Sequence, residues 1–93
     1  MRTLVLAQHG ALVVDWMTAR VADYLGRSPR DIDPTLPLAE LGIDSVSAVN
    51  LCGEIEFEWD LDVDPTIVFD HPTILDLAVY ITDQVADRSE WAA

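Results

Sequence analysis

Residues 27–42, RSPRDIDPTLPLAELG, contain three prolines. Proline lacks the N–H that a helix interior uses, and its ring clashes with the preceding turn, so no continuous helix passes through this segment. On both sides of it, apolar residues recur every three or four positions, as they do in amphipathic helices. The sequence therefore predicts helices separated by a long loop, and a loop of this length in a small domain is often functional.

Two long helices are predicted to flank this loop. The first covers residues 11–25, ALVVDWMTARVADYL, and Gly26 is a good C-terminal stop. Its expected buried stripe consists of Val14, Met17, Val21 and Leu25. The second helix runs from Ser45 to about Trp59, and its expected buried stripe consists of Val49, Cys52, Ile55 and Trp59. Four apolar residues of the loop are available to pin it onto the core: Ile32, Leu36, Leu38 and Leu41.

A short helix and a third long helix are predicted in the C-terminal half. The segment DPTIVFD fits one short helix with Asp64 as its cap and Pro65 at its first position. The last helix is expected within residues 71–88, where Thr73 and Asp76 form a capping-box pattern. Its expected stripe consists of Ile74, Leu77, Ala78, Ile81 and Val85.

The predicted fold is all-α: a small four-helix bundle of three long helices and one short one, with a long loop after the first helix. Residues 1–10 are expected to be an N-terminal extension, residues 11–88 the folded domain, and residues 89–93 a C-terminal tail.

The chain is strongly acidic. It contains 17 Asp and Glu but only 5 Lys and Arg, and its formal net charge is −12. Nucleic acid and anionic membranes would repel such a chain, so they are not expected as partners, whereas a protein with a basic docking surface is. The single cysteine, Cys52, rules out an internal disulfide and fits a reducing cytoplasm.

No catalytic or metal-binding site is predicted. Around Ser45 the sequence is G-I-D-S-V-S, which differs from the nucleophile elbow G-x-S-x-G. The segment DLDVDPTIVFDH alternates carboxylates as a calcium loop does. It has Pro65 where that loop needs glycine and His71 where it needs glutamate. The chain is therefore not expected to be an enzyme.

Ser45 follows Asp44 at the predicted start of the second helix. Serine is common at helix starts, so a capping role is sufficient to explain it. Asp44 is the better-placed cap, however, and a hydroxyl at a helix N-terminus suits a phosphate, because the free N–H groups and the helix dipole both favour an anion. From the residues alone, a cap and a phosphate attachment point both stay open.

Three segments resemble the acyl carrier proteins of polyketide synthases. LGIDSVSAVNL resembles their phosphopantetheine attachment motif, an L-G-x-D-S pattern followed by an apolar helix. IDPTLPLAELGIDS resembles the loop before that helix, and DPTIVFDHPTILDLAVYI resembles their closing segment. The segments occur in the right order and at the right spacing, and the resemblance covers residues 11–87, so that residues 11–88 are expected to be the acyl carrier domain.

The resemblance implies that Ser45 carries a covalent 4′-phosphopantetheine, taken from coenzyme A by a phosphopantetheinyl transferase, and that Asp44 supports the attachment. It also implies a partner-facing surface on the second helix that consists of Val46, Asn50, Gly53, Glu54, Glu56 and Glu58. The expected partners are an acyl-loading enzyme, either an acyltransferase or a fatty acyl-AMP ligase, and a ketosynthase or another biosynthetic enzyme.

The function implied by the resemblance is to hold acyl intermediates as thioesters during polyketide or fatty-acid-derived biosynthesis. The stretch LCGEIEFEW, in place of the basic run of many modular carriers, and the short N-terminal extension favour a free-standing protein, and a domain excised from a larger synthase stays open. The protein is also expected to be monomeric and cytoplasmic. Two alternatives stay open: a peptidyl carrier protein, and an unmodified helical interaction module in which Ser45 is only a cap.

Overall fold

The computed structural model describes the backbone of residues 2–92 and the side chains of residues 10–87. The elements in chain order are α1 (Arg2–Leu25), a 3₁₀ turn (Pro29–Asp31), α2 (Leu38–Leu41), α3 (Ser45–Trp59), α4 (Ile67–Asp70) and α5 (Ile74–Ala92). No β-strand occurs within residues 2–92. The predicted all-α fold with three long helices is confirmed, and the proline-rich loop carries two short helical turns.

Three helix boundaries differ from the prediction. α1 begins at Arg2 and continues through Gly10, because a single glycine lowers helix propensity by only about 1 kcal/mol and good helix formers flank it. α5 continues to Ala92, through most of the expected tail. α4 begins at Ile67, after a turn in which Asp64 Oδ1 accepts hydrogen bonds from the N–H and the hydroxyl of Thr66, both at 2.9 Å. The division into extension, domain and tail stays a prediction.

The core lies between the three long helices. The largest side chains with under 2% exposure are Val13, Met17, Val21, Leu51, Cys52, Ile55, Ile74, Leu77 and Ile81. The stripe predicted for α5 is confirmed, with Val85 at its partly buried edge. In α1 the buried residues are Val13, Met17, Val21 and Ala22, whereas the predicted Val14 and Leu25 are only partly buried.

One face of α3 was predicted wrongly. Val49 is 55% exposed, whereas Leu51, which lay outside the predicted stripe, is fully buried. Leu51 and Val49 lie on opposite sides of the seam formed by Cys52 and Ile55, so the apolar spacing alone fits either side. Packing against the other helices selects the side with Leu51.

The loop between α1 and α3 is fixed to the bundle. Ile32, Leu38 and Leu41 are buried as predicted, but Leu36 is 40% exposed because it lies in the turn closed by its N–H to the Asp33 carbonyl. The Leu38 N–H donates to the Pro72 carbonyl at 2.8 Å, which joins the loop to the start of α5. At that start, Thr73 Oγ1 accepts from the Asp76 N–H at 3.0 Å, so the predicted Thr73 cap is confirmed.

Among the described helices, none combines the length and the hydropathy that crossing a bilayer requires.

Candidate functional site

A tight turn between α2 and α3 presents Asp44 and Ser45 at the surface. Gly42 ends α2 with φ at +113°, a conformation that favours glycine. A Cβ at this position would lie 3.2 Å from Leu25 Cδ2, so the turn also passes close to the end of α1. Ile43 is buried, and its N–H donates to the Leu38 carbonyl at 3.0 Å. This anchored turn holds the next two residues in a defined place.

Asp44 is the N-cap of α3. Its Oδ1 accepts a hydrogen bond from the Ser47 N–H at 2.8 Å, which satisfies a backbone donor of the first helical turn. This bond, with a further contribution from the Ser47 side chain, lowers the pKa of the Asp44 carboxyl below its usual value. Asp44 therefore stays ionised beside Ser45.

Ser45 is exposed and is the first residue of α3. Because Asp44 supplies the cap, the Ser45 hydroxyl is not used to start the helix, and it makes no hydrogen bond to any of the side chains or backbone groups that the structure describes. It lies at the positive end of a 15-residue helix, where a phosphate is stabilised. The Ser45 hydroxyl can supply an ester oxygen, and its exposure makes it accessible, so the residue fits a phosphodiester-linked group.

An apolar cleft of about 280 Å³ borders Ser45. It lies between the loop, α3 and α4, and its lining includes Leu38, Ala48, Val68 and Phe69. Phe69 is 78% exposed although it is a large apolar residue. This surface is suited to the uncharged part of a group attached at Ser45.

Most of the predicted partner-facing residues do lie on the outer side of α3. Val46 is 67% exposed, and Asn50, Gly53 and Glu58 are exposed as well, while Glu56 is half-buried.

Glu54, in contrast, is engaged in contacts within the chain. Its Oε2 accepts a hydrogen bond from the Tyr24 hydroxyl at 2.7 Å, and its Oε1 lies 3.5 Å from an Arg20 guanidinium nitrogen. Glu54 therefore connects α3 to α1 and is not a free charge for a partner. Nothing in the spacing of the sequence indicates this pairing, because it joins residues 30 positions apart.

Phe57 was not among the predicted partner-facing residues, yet it is 91% exposed on α3. The available signal was its spacing: Val46, Asn50, Gly53 and Phe57 follow steps of four, three and four, which place them on one helix face.

The structure does not favour a reactive thiol at Cys52 or a metal site. Cys52 is buried, with its Sγ 3.9 Å from the Pro65 carbonyl, and burial raises the pKa of its thiol, as do the carboxylates of Glu56 and Asp64. A raised pKa disfavours the reactive thiolate. Within the part of the chain that the structure describes, no three His, Cys, Asp or Glu side chains are grouped so that they could hold a metal ion.

Comparison with known families and sequences gives a consistent result. The family described as "Phosphopantetheine attachment site" matches residues 15–81, which include Asp44 and Ser45. The chain is 40% identical over 76 residues to a phenolphthiocerol synthesis polyketide synthase type I, Pks15/1, of Mycobacterium marinum; the match covers 81% of the chain and 4% of that protein. It is 35% identical over 88 residues to polyketide synthase GfsA of Streptomyces halstedii, a match that covers 94% of the chain and 1% of that protein. The chain thus spans only a few per cent of these relatives.

Two solved structures share the fold. A free-standing peptidyl carrier protein of Acinetobacter baumannii superposes with a TM-score of 0.78 at 30% identity, covering 82% of the chain and 95% of that protein. An HMG-ACPI domain from the CurA module of Lyngbya majuscula superposes with a TM-score of 0.77 at 23% identity, covering 83% of the chain and 78% of that domain, and supports the fold alone. The family match over residues 15–81 and this fold together show that the chain belongs to the phosphopantetheine attachment site family, the carrier domains whose covalent cofactor is 4′-phosphopantetheine.

Proposed function

We propose that this carrier holds acyl intermediates of polyketide or fatty-acid-derived biosynthesis and that Ser45 is its attachment residue. The observation that carries the proposal is the exposed Ser45 hydroxyl at the start of α3, left unused because Asp44 caps the helix. When bound, 4′-phosphopantetheine supplies a terminal thiol on which an acyl group is held as a thioester. The chain itself performs no catalysis in this proposal.

The residues around Ser45 have separate tasks. The Ser45 Oγ provides the oxygen of the phosphodiester, and the N-terminal turn of α3 stabilises the phosphate charge. The ionised Asp44 carboxylate supports the attachment by helping the transferase to position its metal-bound coenzyme A. The anchored turn at Gly42 and Ile43 keeps both side chains accessible.

The outer side of α3 is the proposed contact surface for enzymes, and it consists of Val46, Asn50, Gly53, Glu56 and Glu58. The enzymes are a phosphopantetheinyl transferase, an acyl-loading enzyme (an acyltransferase or a fatty acyl-AMP ligase) and a ketosynthase or another biosynthetic enzyme. The polyketide synthases among the relatives and the net charge of −12, which favours basic docking surfaces, support this assignment. A cytoplasmic location, favoured by the lone Cys52, belongs to the same proposal.

A peptidyl carrier function is the second candidate. It is favoured by the likeness to the free-standing peptidyl carrier protein, which the chain covers over 95% of its length. The two candidates share the attachment residue and differ only in the enzyme that loads the arm. Offering the modified protein malonyl transferases, fatty acyl-AMP ligases and amino-acid-adenylating enzymes, and then measuring the mass of the product, distinguishes them.

Intact mass spectrometry tests the attachment residue. After incubation with coenzyme A and a phosphopantetheinyl transferase of broad specificity, the wild type is expected to gain the mass of one arm. Ser45→Ala is expected to gain nothing while keeping its helical circular dichroism. Ser47→Ala, which removes the neighbouring hydroxyl but not the N–H that Asp44 caps, is the matched control and should still be modified. An unmodified wild type, under conditions that modify another carrier, contradicts the proposal.

A further inference from the structure

A groove between α1 and α3 lies at the C-terminal half of α3. It has a volume of about 580 Å³, and we call it the Phe57 groove; its lining includes Trp16, Arg20, Tyr24, Gly53, Phe57 and Glu58. Phe57 is 91% exposed, the most exposed of the large apolar side chains that the structure describes. Exposing a whole aromatic ring to water is unfavourable, so the residue is a candidate anchor for a contact outside the chain.

The groove is preformed, because three contacts hold its two helices at a fixed spacing. The Tyr24 hydroxyl donates to Glu54 at 2.7 Å, and Arg20 pairs with the same carboxylate at 3.5 Å. Trp16 packs edge-on against Trp59, with ring centroids 6.1 Å apart. A preformed groove loses little entropy when a partner enters it.

Gly53 leaves an open space beside Phe57. A Cβ at Gly53 would meet no atom within 4 Å, so no close contact inside the chain requires glycine there. Its backbone is helical, and glycine is less favourable than alanine in a helix interior. Because helical side chains lean toward the helix N-terminus, the Phe57 side chain leans toward the turn that contains Gly53. An incoming side chain can therefore pack against both the ring and the bare backbone.

The charges around the groove select the occupant. Glu58 lines the groove and Glu56 precedes Phe57 in α3, while the cationic residue of the groove lining, Arg20, is already paired with Asp23 and Glu54. A second copy of this chain, with a net charge of −12, would be repelled. The complementary ligand carries basic residues beside a large apolar side chain.

We propose that the Phe57 groove docks a peptide segment of a partner protein, in which Arg or Lys residues flank a large apolar side chain. Phe57 lies 12 residues after Ser45 in the same helix, which corresponds to about 18 Å. A segment bound in the groove leaves Ser45 accessible, so this contact holds the carrier beside its enzymes and raises their effective concentration. The inference rests on the proposed function only in taking the partner to be a protein that works with the carrier.

A peptide selection tests the proposal. The Ser45→Ala variant is immobilised, and a phage-displayed library of short random peptides is selected against it at low ionic strength. The enriched peptides are expected to contain Arg or Lys next to Leu, Met, Phe or Trp. Their binding to Phe57→Ala should be at least about tenfold weaker, because truncating an aromatic anchor that the bound peptide covers removes much of the binding free energy.

Two further variants test whether the peptides bind at the Phe57 groove. Gly53→Leu fills the space beside Phe57 and should also weaken binding at least about tenfold, without lowering the melting temperature, since the position is open. Val79→Ala removes a 62% exposed apolar side chain from α5 and should bind the peptides as well as the parent protein does.

Three outcomes would overturn the proposal: no enrichment, enriched peptides that lack basic residues, or equal binding to Phe57→Ala and Val79→Ala. Because Ser45→Ala cannot carry the arm at Ser45, the selection does not depend on modification at that residue. A failure of the attachment experiment therefore leaves the docking result intact, and the reverse also holds.

Discussion

At the scale of single residues, Asp44 caps α3, and Ser45 beside it is the proposed attachment residue. The Asp44 carboxylate accepts the Ser47 N–H at 2.8 Å and starts the helix, so the Ser45 hydroxyl remains available for attachment. Serine at this position would otherwise be indistinguishable from an ordinary cap.

Asp44→Asn separates the capping role of Asp44 from its proposed role in attachment. Asparagine caps helices about as well as aspartate, so the melting temperature should change little. The lost negative charge should slow the transfer of phosphopantetheine, because the transferase loses a group that positions its coenzyme. Initial rates of mass gain for the wild type and Asp44→Asn measure this effect. Equal rates with unchanged stability would mean that Asp44 is only a cap.

Tyr24 should titrate at unusually high pH. Burial, and then its hydrogen bond to the Glu54 carboxylate, raise its pKa from 10.0 to about 12. The folded protein favours the neutral phenol, so the raised pKa of Tyr24 stabilises the folded state. This stabilisation is fully present below pH 10 and is lost as the pH rises from 10 to about 12. In the Tyr80→Phe variant, tyrosinate absorbance should therefore rise with a midpoint near 12 while circular dichroism still shows helix.

The matched control is Glu54→Gln in the Tyr80→Phe background, which removes the carboxylate that accepts the Tyr24 hydrogen bond. Its Tyr24 midpoint should be lower than that of Tyr80→Phe alone, because this carboxylate contributes to the raised pKa. Equal midpoints would show that the bond between Tyr24 and Glu54 does not persist in solution.

At the scale of elements, the most informative feature is the register of α3, by which we mean the rotation of the helix about its axis that decides which side faces the core. Its outer face carries an exposed apolar set of Val46, Val49 and Phe57, while Leu51, Cys52 and Ile55 are buried. A helix that is apolar on two sides has one face for the core and a second face for contacts outside the chain.

Two alanine substitutions test this register. Leu51→Ala removes a fully buried side chain and should cost roughly 2–5 kcal/mol of unfolding free energy, because it leaves a cavity. Val49→Ala changes a side chain that is 55% exposed and should change the stability by less than about 0.5 kcal/mol. Urea denaturation of both variants measures the difference. A larger loss for Val49→Ala would mean that the helix is rotated from the orientation described.

At the scale of the whole molecule, the net charge of −12 acts on folding and on association in opposite directions. Like charges repel within the compact state and lower its stability, but they attract basic partners. Salt screens both effects, since the Debye length falls from about 30 Å at 0.01 M to about 10 Å at 0.1 M.

Added sodium chloride should therefore raise the melting temperature and slow the association with a basic partner. Thermal scans and stopped-flow measurements between low and physiological ionic strength check the two halves of this prediction. Sucrose at equal osmolality is the control and should leave the association rate much less affected. A melting temperature that falls with salt would show that attractive ion pairs, such as Arg20 with Glu54, outweigh the repulsion.

The sequence by itself determined the features that depend on neighbours within one helical turn. The start of α3 at Ser45 and the Asp44 and Thr73 caps were predicted correctly, because capping joins residues at most three positions apart. The break at the three prolines was also predicted correctly, since proline acts through its own covalent structure. The motif that proposes Ser45 as the attachment residue is equally local, because it consists of neighbouring residues, L-G-I-D-S.

Only the tertiary structure decided which side of each helix faces the core and which groups meet across helices. The burial of Leu51 in place of Val49, the pairing of Glu54 with Tyr24 and Arg20, and the exposure of Phe57 all depend on the position of a second helix. The physical reason is that an apolar helical spacing is compatible with more than one orientation about the helix axis, and the free energy of burial chooses among them only when the neighbouring helices are in place.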